Sequence, residues 1–167
     1  MHRLHGEPIA VHSARNLLRA LPGAVAVVRD ERSALAKALS AEGLKIVECH
    51  DAEQGMGRTL AAGVKATGEA NGWVVALADM PFIQPATIQN VAARLHAGAH
   101  IVAPRYRGER GHPVGLARRY REELEALQGD AGARAIVAKE KQVLEFIDVD
   151  DAGVTKDIDT PADLPGQ

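Results

Sequence analysis

Short apolar runs alternate with alanine- and leucine-rich stretches along most of this chain, and that alternation limits its fold more than any other feature. The strongest run is Trp73-Val74-Val75-Ala76-Leu77-Ala78. Ahead of it, Ala24-Val25-Ala26-Val27-Val28 is a short continuous apolar run, the pattern of a strand covered on both faces, and residues 44–47 read as another. Further strands are expected at 100–103 and 143–149, with a short apolar stretch at 113–116. Helical spacing covers 8–21, closed by Pro22-Gly23, then 33–41, 59–70 and 85–97, and later an amphipathic 118–127 and a short 132–138. Helices alternating with strands predict an α/β class, an open sandwich around a mostly parallel sheet. The pattern opens directly on a helix, whereas such a sheet normally has a strand ahead of it carrying the first phosphate-binding loop. A first strand is therefore expected to be missing.

The 167 residues contain no internal repeat, low-complexity tract or long linker, so a single domain over 1–167 is expected. Aromatic residues make up 3% of the chain, too few for a base-stacking platform, and the net charge is -2 with Lys and Arg scattered. Nucleic acid is excluded as a partner on both grounds. Cys49 is the only cysteine, which excludes a disulfide scaffold or a cysteine-rich zinc site and fits a reducing cytoplasm. The N-terminal segment lacks the apolar stretch of a signal peptide, and the longest strongly apolar run, 74–78, falls far short of the roughly 20 residues that cross a bilayer. No membrane association is expected.

Chemistry gathers at the ends of these elements. Leu77-Ala78-Asp79-Met80-Pro81-Phe82 sets a carboxylate at the C-terminal end of the strongest strand, where open parallel sheets bind ligands. An Asp there can equally begin a turn or cap the next helix. In Lys156-Asp157-Ile158-Asp159-Thr160-Pro161-Ala162-Asp163-Leu164 the carboxylates alternate, so Asp157 and Asp159 share one side of an extended stretch. Magnesium takes one or two carboxylates together with phosphate oxygens and water, and Asp79 with Asp159 would supply that pair. Asp159 or Thr160 could instead cap a helix starting at Pro161.

Gly55-Met56-Gly57-Arg58-Thr59-Leu60 leads into a helix, where backbone N–H groups can receive phosphate or a base edge, although no P-loop sequence occurs. Arg107-Gly108-Glu109-Arg110-Gly111-His112-Pro113 combines glycine hinges, cations and an imidazole, as suits a mobile loop closing over an anionic ligand. Gly129-Asp130-Ala131-Gly132-Ala133-Arg134 offers an arginine to a phosphate. Each loop reads otherwise as a surface turn with solvated charges. His96 and His100 have a zinc-like spacing, but Gly98 between them should end the helix and part them. His50-Asp51-Ala52-Glu53 reads as a loop after a strand.

Taken in order, residues 55–60, 77–82, Arg110-Gly111-His112-Pro113, 129–134 and Asp157-Ile158-Asp159-Thr160-Pro161 resemble the MobA-like nucleotidyltransferases, and within them the molybdenum cofactor cytidylyltransferases. The resemblance covers nearly the whole chain. It implies a Rossmann-like three-layer sandwich with a mostly parallel, mixed sheet, and transfer of CMP or GMP from CTP or GTP to a phosphorylated acceptor, here molybdopterin, releasing pyrophosphate. By resemblance, Asp79, Asp159 and Asp157 hold Mg2+. Gly55, Met56, Gly57, Arg58 and Thr59 contact the nucleotide, and Arg110, His112 and Arg134 line the acceptor side. The Arg110-Gly111-His112-Pro113 motif favours CTP over GTP. The alternatives are a sugar- or alcohol-phosphate acceptor, because the fold hosts many, or a binding domain without catalysis.

Members of that family open with a strand and a loop of the kind Leu-Ala-Ala-Gly-x-Gly-x-Arg, followed by a lysine. Here Leu4-His5-Gly6-Glu7-Pro8 resembles the stretch after that lysine, and the loop itself has no counterpart in this sequence. A sheet without the strand exposes the edges of its neighbours, which invites pairing with a second copy into a homo-oligomer.

Overall fold

The computed structural model describes residues 3–163; Leu164, named above, lies outside the described residues. Two short strands precede the first helix. β1 (Arg3–Leu4) and β2 (Glu7–Pro8) pair antiparallel around His5 and Gly6, at φ 52° and 84°. The chain thus does not open directly on a helix as its patterning suggests, because two residues per strand leave no alternation to read. Helix α1 (Ile9–Ala20) follows, burying Ile9, Ala10, Val11 and Ala14. Arg15 on α1 grips Glu7 at 2.6 and 2.9 Å and Glu42 at 2.7 and 2.8 Å, tying the hairpin and the next helix to it.

β3 (Val25–Val28) and β4 (Lys45–Glu48) form a parallel two-stranded sheet joined through α2 (Ala34–Ala41). Ser33 starts α2 by accepting the Ala36 N–H at 3.1 Å. α3 (Met56–Ala66) begins and ends earlier than its periodicity indicates. The Thr67 hydroxyl donates to Gly63 O at 2.7 Å and accepts from Trp73 Nε1 at 2.9 Å, which fixes the end of the helix.

The second sheet holds β5 (Gly72–Val75), β6 (Ile101–Tyr106), β7 (Glu109–Arg110), β8 (Val114–Ala117) and β9 (Leu144–Asp148). Its order is β5-β8-β6-β7, antiparallel throughout, with β9 parallel on β6. Helices α4 (Pro85–His96), α5 (Arg121–Glu125) and α6 (Arg134–Lys139) connect these strands. The class is α/β with a mixed sheet, as expected, centred on Ile101, Val102, Ala103 and Leu116, each 0% exposed.

Three local expectations change. Residues 105–111 are not a mobile loop: Arg105 faces Arg110 and Tyr106 faces Glu109 in a hairpin whose two-residue turn, Arg107 and Gly108, sits at φ 49° and 88°. Positive φ at both turn positions matches the twist of the flanking strands, but Arg-Gly lacks the familiar Asn-Gly signal. The amphipathic stretch 118–127 divides into a 3₁₀ turn (Arg118–Tyr120) and α5. The strand expected at 73–78 is laddered only to Val75, opposite Val114, because the His112 N–H that would next pair with Leu77 donates to Val154 O instead.

α1 and α3 each span both sheets. On one face, Ala10, Val11 and Ala14 cover Val28 and Ala26, while Leu17, Ala20 and Leu21 pack with Val74 and Leu77. On the other, Gly63 lies against Val27, and Leu60 and Val64 pack with Trp73 and Val75. Between the sheets, among the described residues, β3 and β5 each have a strand partner on one edge only. Only Val28 of β3 is buried, so 24–28 is not the fully covered strand its composition suggests; a flanking strand is needed as well as helices. Among the described residues no helix is long and apolar enough to cross a membrane.

The segment after β9 locks the carboxyl end of the second sheet. Asp151, 3% exposed, accepts the Gln84 N–H at 2.9 Å, the Thr87 hydroxyl at 2.6 Å and the Gly153 N–H at 3.0 Å. It thereby caps α4, which has no side-chain cap of its own. Gly153 sits where a Cβ would run into the Phe82 carbonyl, and Gly111 where one would run into that of Val154. Asp151→Ala leaves three donors without a partner, the Thr87 hydroxyl and Gly153 N–H among them buried, and should cost about 3 kcal/mol, lowering Tm by roughly 6–12 °C in thermal unfolding. Gly153→Ala should destabilise comparably, because both atoms in the clash belong to packed backbone.

Candidate functional site

Asp79 follows β5 on a turn held from three sides. From α1, the Ser13 hydroxyl donates to Ala78 O and the Asn16 amide to Pro81 O, both at 2.9 Å. Beneath the turn, Met80 and Ile83 pack with Ile88 and Val154. From the C-terminal segment, the Ile158 N–H donates to Asp79 O at 2.9 Å, and the Ile158 side chain is buried with Leu4 and Ile9. With Ile158 inward, its exposed neighbours Asp157 and Asp159 project together on the other side, as their alternation predicts.

The Asp79 side chain caps no helix, since Asp151 serves α4 instead. Its Oδ1 is buried with no hydrogen-bond partner. Burial pushes the Asp79 carboxyl above the usual carboxylate range; its own backbone opposes this, and the negative charges of Asp157 and Asp159 raise it further. Asp159 is not a cap either: Asp163 takes the Thr160 N–H at 2.8 Å and its hydroxyl at 2.9 Å, around a 3₁₀ turn rather than a helix. Among the described residues no group of three or more His, Cys, Asp or Glu side chains stands close enough to hold a metal by itself. A buried, unpaired carboxylate oxygen on a group that feels the charges of two exposed carboxylates nevertheless fits a hard cation that completes its shell with ligand oxygens and water.

A cavity of about 680 Å³ runs from between the sheets to Ala78, and its mouth is lined by Met56, Thr59, Arg110, His112, Asp130 and Arg134. Arg110 and Arg134 are exposed and, among the described residues, have no ion-pair partner within 4.0 Å. The His112 backbone N–H donates to Val154 O at 2.8 Å, while its ring Nδ1 is buried without a partner. Burial lowers the His112 pKa and the Arg110 charge lowers it further, against an opposing pull from Asp157. The ring is therefore neutral at neutral pH, with one nitrogen to donate and one to accept.

Gly55 and Gly57 have a different place from the rest of their loop. Gly55, at φ 117°, receives the backbone of Gly129, and the Gly57 N–H already donates to Gly129 O at 2.7 Å. A Cβ on Gly57 would stand 2.8 Å from Gln128 O. These glycines dock the 128–130 loop, which carries Asp130 and leads to Arg134. Met56 and Thr59 line the cavity; Arg58 does not.

Sequence reasoning missed Asp151, Ser13 and Asn16. Asp151-Ala152-Gly153 had only an ordinary turn signal, and the two α1 residues act on chain 65 residues away, which no local pattern reveals. His96 and His100 are parted as expected, because α4 ends at His96 and Gly98 turns at φ 101°.

Comparison with known proteins identifies the fold and the family. Nicotine blue oxidoreductase of Paenarthrobacter nicotinovorans is 31% identical over 127 residues, which is 71% of this chain and 62% of that protein. The chain thus spans less than two thirds of that relative's length. The structure of Rv0371c from Mycobacterium tuberculosis H37Rv in complex with manganese aligns with a TM-score of 0.79 at 23% identity, covering 98% of this chain and 86% of that one. CMP:2-keto-3-deoxy-manno-octonic acid synthetase complexed with CTP aligns with a TM-score of 0.73 at 13% identity, covering 96% and 86%. Both show the shared fold. The MobA-like NTP transferase domain matches residues 1–143, and the chain belongs to that family.

Proposed function

We propose that this chain takes part in transferring a nucleoside monophosphate from a nucleoside triphosphate to a phosphorylated acceptor, with CTP preferred over GTP and a molybdopterin-type acceptor. The observation that carries this reading is the unpaired, buried Asp79 Oδ1 at a strand's carboxyl end, opposite Asp157 and Asp159 and beside a cationic cavity mouth. Asp79 and Asp159, with Asp157 beside them, would hold Mg2+. A divalent cation there would neutralise charge on the triphosphate as the bond from the α-phosphorus to the leaving oxygen lengthens.

In this reading an acceptor phosphate oxygen attacks the α-phosphorus in line, a new phosphorus–oxygen bond forms, and pyrophosphate departs. Arg110 and Arg134 offer charge-assisted hydrogen bonds to phosphate oxygens at the mouth. Neutral His112 orients a phosphate oxygen or hydroxyl without adding charge. Met56 and Thr59 border the nucleotide, with Gly55, Gly57 and Arg58 shaping the loop beneath. Their work is positioning and electrostatic stabilisation rather than covalent chemistry. The manganese in the Rv0371c complex and the CTP in the synthetase complex support a metal and a nucleotide in this fold. A redox reading has one observation behind it, the name of the 31% identical relative, and would require an electron-carrying cofactor.

Calorimetry should find CTP binding that depends on Mg2+ or Mn2+ and weakens by about a hundredfold in Asp79→Asn, roughly 2.8 kcal/mol. Equal binding by both forms, or binding without metal, would overturn the metal site, and saturable binding of a nicotinamide dinucleotide in place of CTP would favour the redox reading.

Because the folded chain holds the Asp79 proton more tightly than the unfolded chain, metal-free stability from this group falls as pH rises through the raised pKa. Asp79→Asn should therefore unfold at a higher temperature than the unaltered chain at pH 7. The difference should vanish as the pH falls to the ordinary aspartate range, and a gap unchanged across that window would contradict the raised pKa.

A further inference from the structure

Val75 is the last residue of β5 paired to β8, and residues 76–78 separate that pair from Asp79. The ladder therefore does not set the place of the carboxylate. Three backbone carbonyls around it are each taken by a donor from another element instead. The Ser13 hydroxyl donates to Ala78 O, the Ile158 N–H to Asp79 O and the Asn16 amide to Pro81 O, all at 2.9 Å.

Two of these donors lie on α1, and the third packs against it. Ile9, Ser13 and Asn16 are spaced i, i+4 and i+7, which puts them on one stripe of the helix within about 60° of arc. At one end of the stripe Ile9 is buried with Ile158, the residue between Asp157 and Asp159. Further along, Ser13 and Asn16 meet the turn on either side of Asp79. One helix face thus touches both segments that carry the carboxylates. Arg15, to one side of the stripe, pairs with Glu7 and Glu42 and opposes rotation of α1 about its axis.

The Ser13 hydroxyl has one proton to give. It stands 3.3 Å from Ile9 O within its own helix and 2.9 Å from Ala78 O, so the shorter bond between elements takes the proton. Asn16 does not line the cavity, and its influence on a ligand there can pass only through the turn that it holds.

We infer that Ser13 and Asn16 are positioning residues for the cation: by fixing the carbonyls of Ala78 and Pro81, α1 holds the Asp79 carboxylate in one place relative to the segment carrying Asp157 and Asp159. The inference rests on Asp79 as a metal ligand, the reading given above. A merely structural contact would lower folding stability alone, whereas positioning acts on the cation and only through Asp79.

The test titrates CTP with Mn2+ into the 167-residue chain and into its Ser13→Ala, Asn16→Leu and Asp79→Asn variants, followed by calorimetry. Ser13→Ala and Asn16→Leu should each weaken Mn2+-dependent binding roughly fivefold to tenfold, the scale of one lost hydrogen bond, and Ser13→Thr, which keeps the hydroxyl, should restore it. Combined with Asp79→Asn, the same substitutions should cost nothing further, because no carboxylate is left to place. In the metal-free chain, amide hydrogen exchange at 79–83 should quicken in both α1 variants while that of 9–20 stays unchanged. Alanine is the better helix former, so a loss in Ser13→Ala does not come from an unravelled α1, and that variant decides if Asn16→Leu does not fold. An equal further loss in the Asp79→Asn background would make both contacts structural only and overturn the inference. So would unchanged binding, or unchanged exchange at 79–83, in the α1 variants while Asp79→Asn binds weakly. Binding that Asp79→Asn leaves intact overturns the metal reading itself, and this inference with it.

Discussion

A buried carboxylate, Asp151, draws the Gln84 amide, the Thr87 hydroxyl and the Gly153 amide onto one side chain, and the placement of the charged groups follows from that node. It fixes the start of α4 and brings the segment after β9 against the turn that follows β5. Gly153 and Gly111 permit the approach, because a side chain at either would collide with backbone. Once the segment is docked, Ile158 reaches Asp79 O and buries its side chain, and Asp157 and Asp159 have one direction left to face.

That arrangement is electrostatically unfavourable for the Asp79 charge. Asp79 is partly desolvated, its Oδ1 has no donor, and the charges of Asp157 and Asp159 act on it, so its proton is held more tightly than usual. Folding tolerates the cost because the surrounding contacts are apolar and backbone-based and do not depend on the charge. Across the mouth the balance reverses, with Arg110 and Arg134 beside a neutral His112. A site that is anionic on one side and cationic on the other suits a ligand that brings a cation together with phosphate.

The split sheet is the second constraint. α1 and α3 bridge the two pieces, so the chain keeps one helical layer on each face although β3 and β5 share no ladder. The half-burial of Val25 to Val27 follows directly. Helices cover the faces of a strand, and only a neighbouring strand covers its edge.

Fold class was legible because α/β alternation is written locally, in apolar runs and helical spacing. The alternating carboxylates around Ile158 and the breaking of α4 before Gly98 were legible for the same reason. The two-residue strands β1 and β2 were not, and the hairpin at Arg107-Gly108 was hidden by an uncommon turn pair. By itself the sequence determined most of the longer helices and strands, that Asp79 follows a strand, and that Asp157 and Asp159 flank an inward Ile158, since each depends on neighbours a few positions away. Tertiary structure alone decided that Asp151 caps α4, that the Gly57 amide is taken by Gly129, and that β3 and β5 share no ladder. Those outcomes depend on groups far apart in the chain meeting in space, and on whether a backbone edge finds a partner.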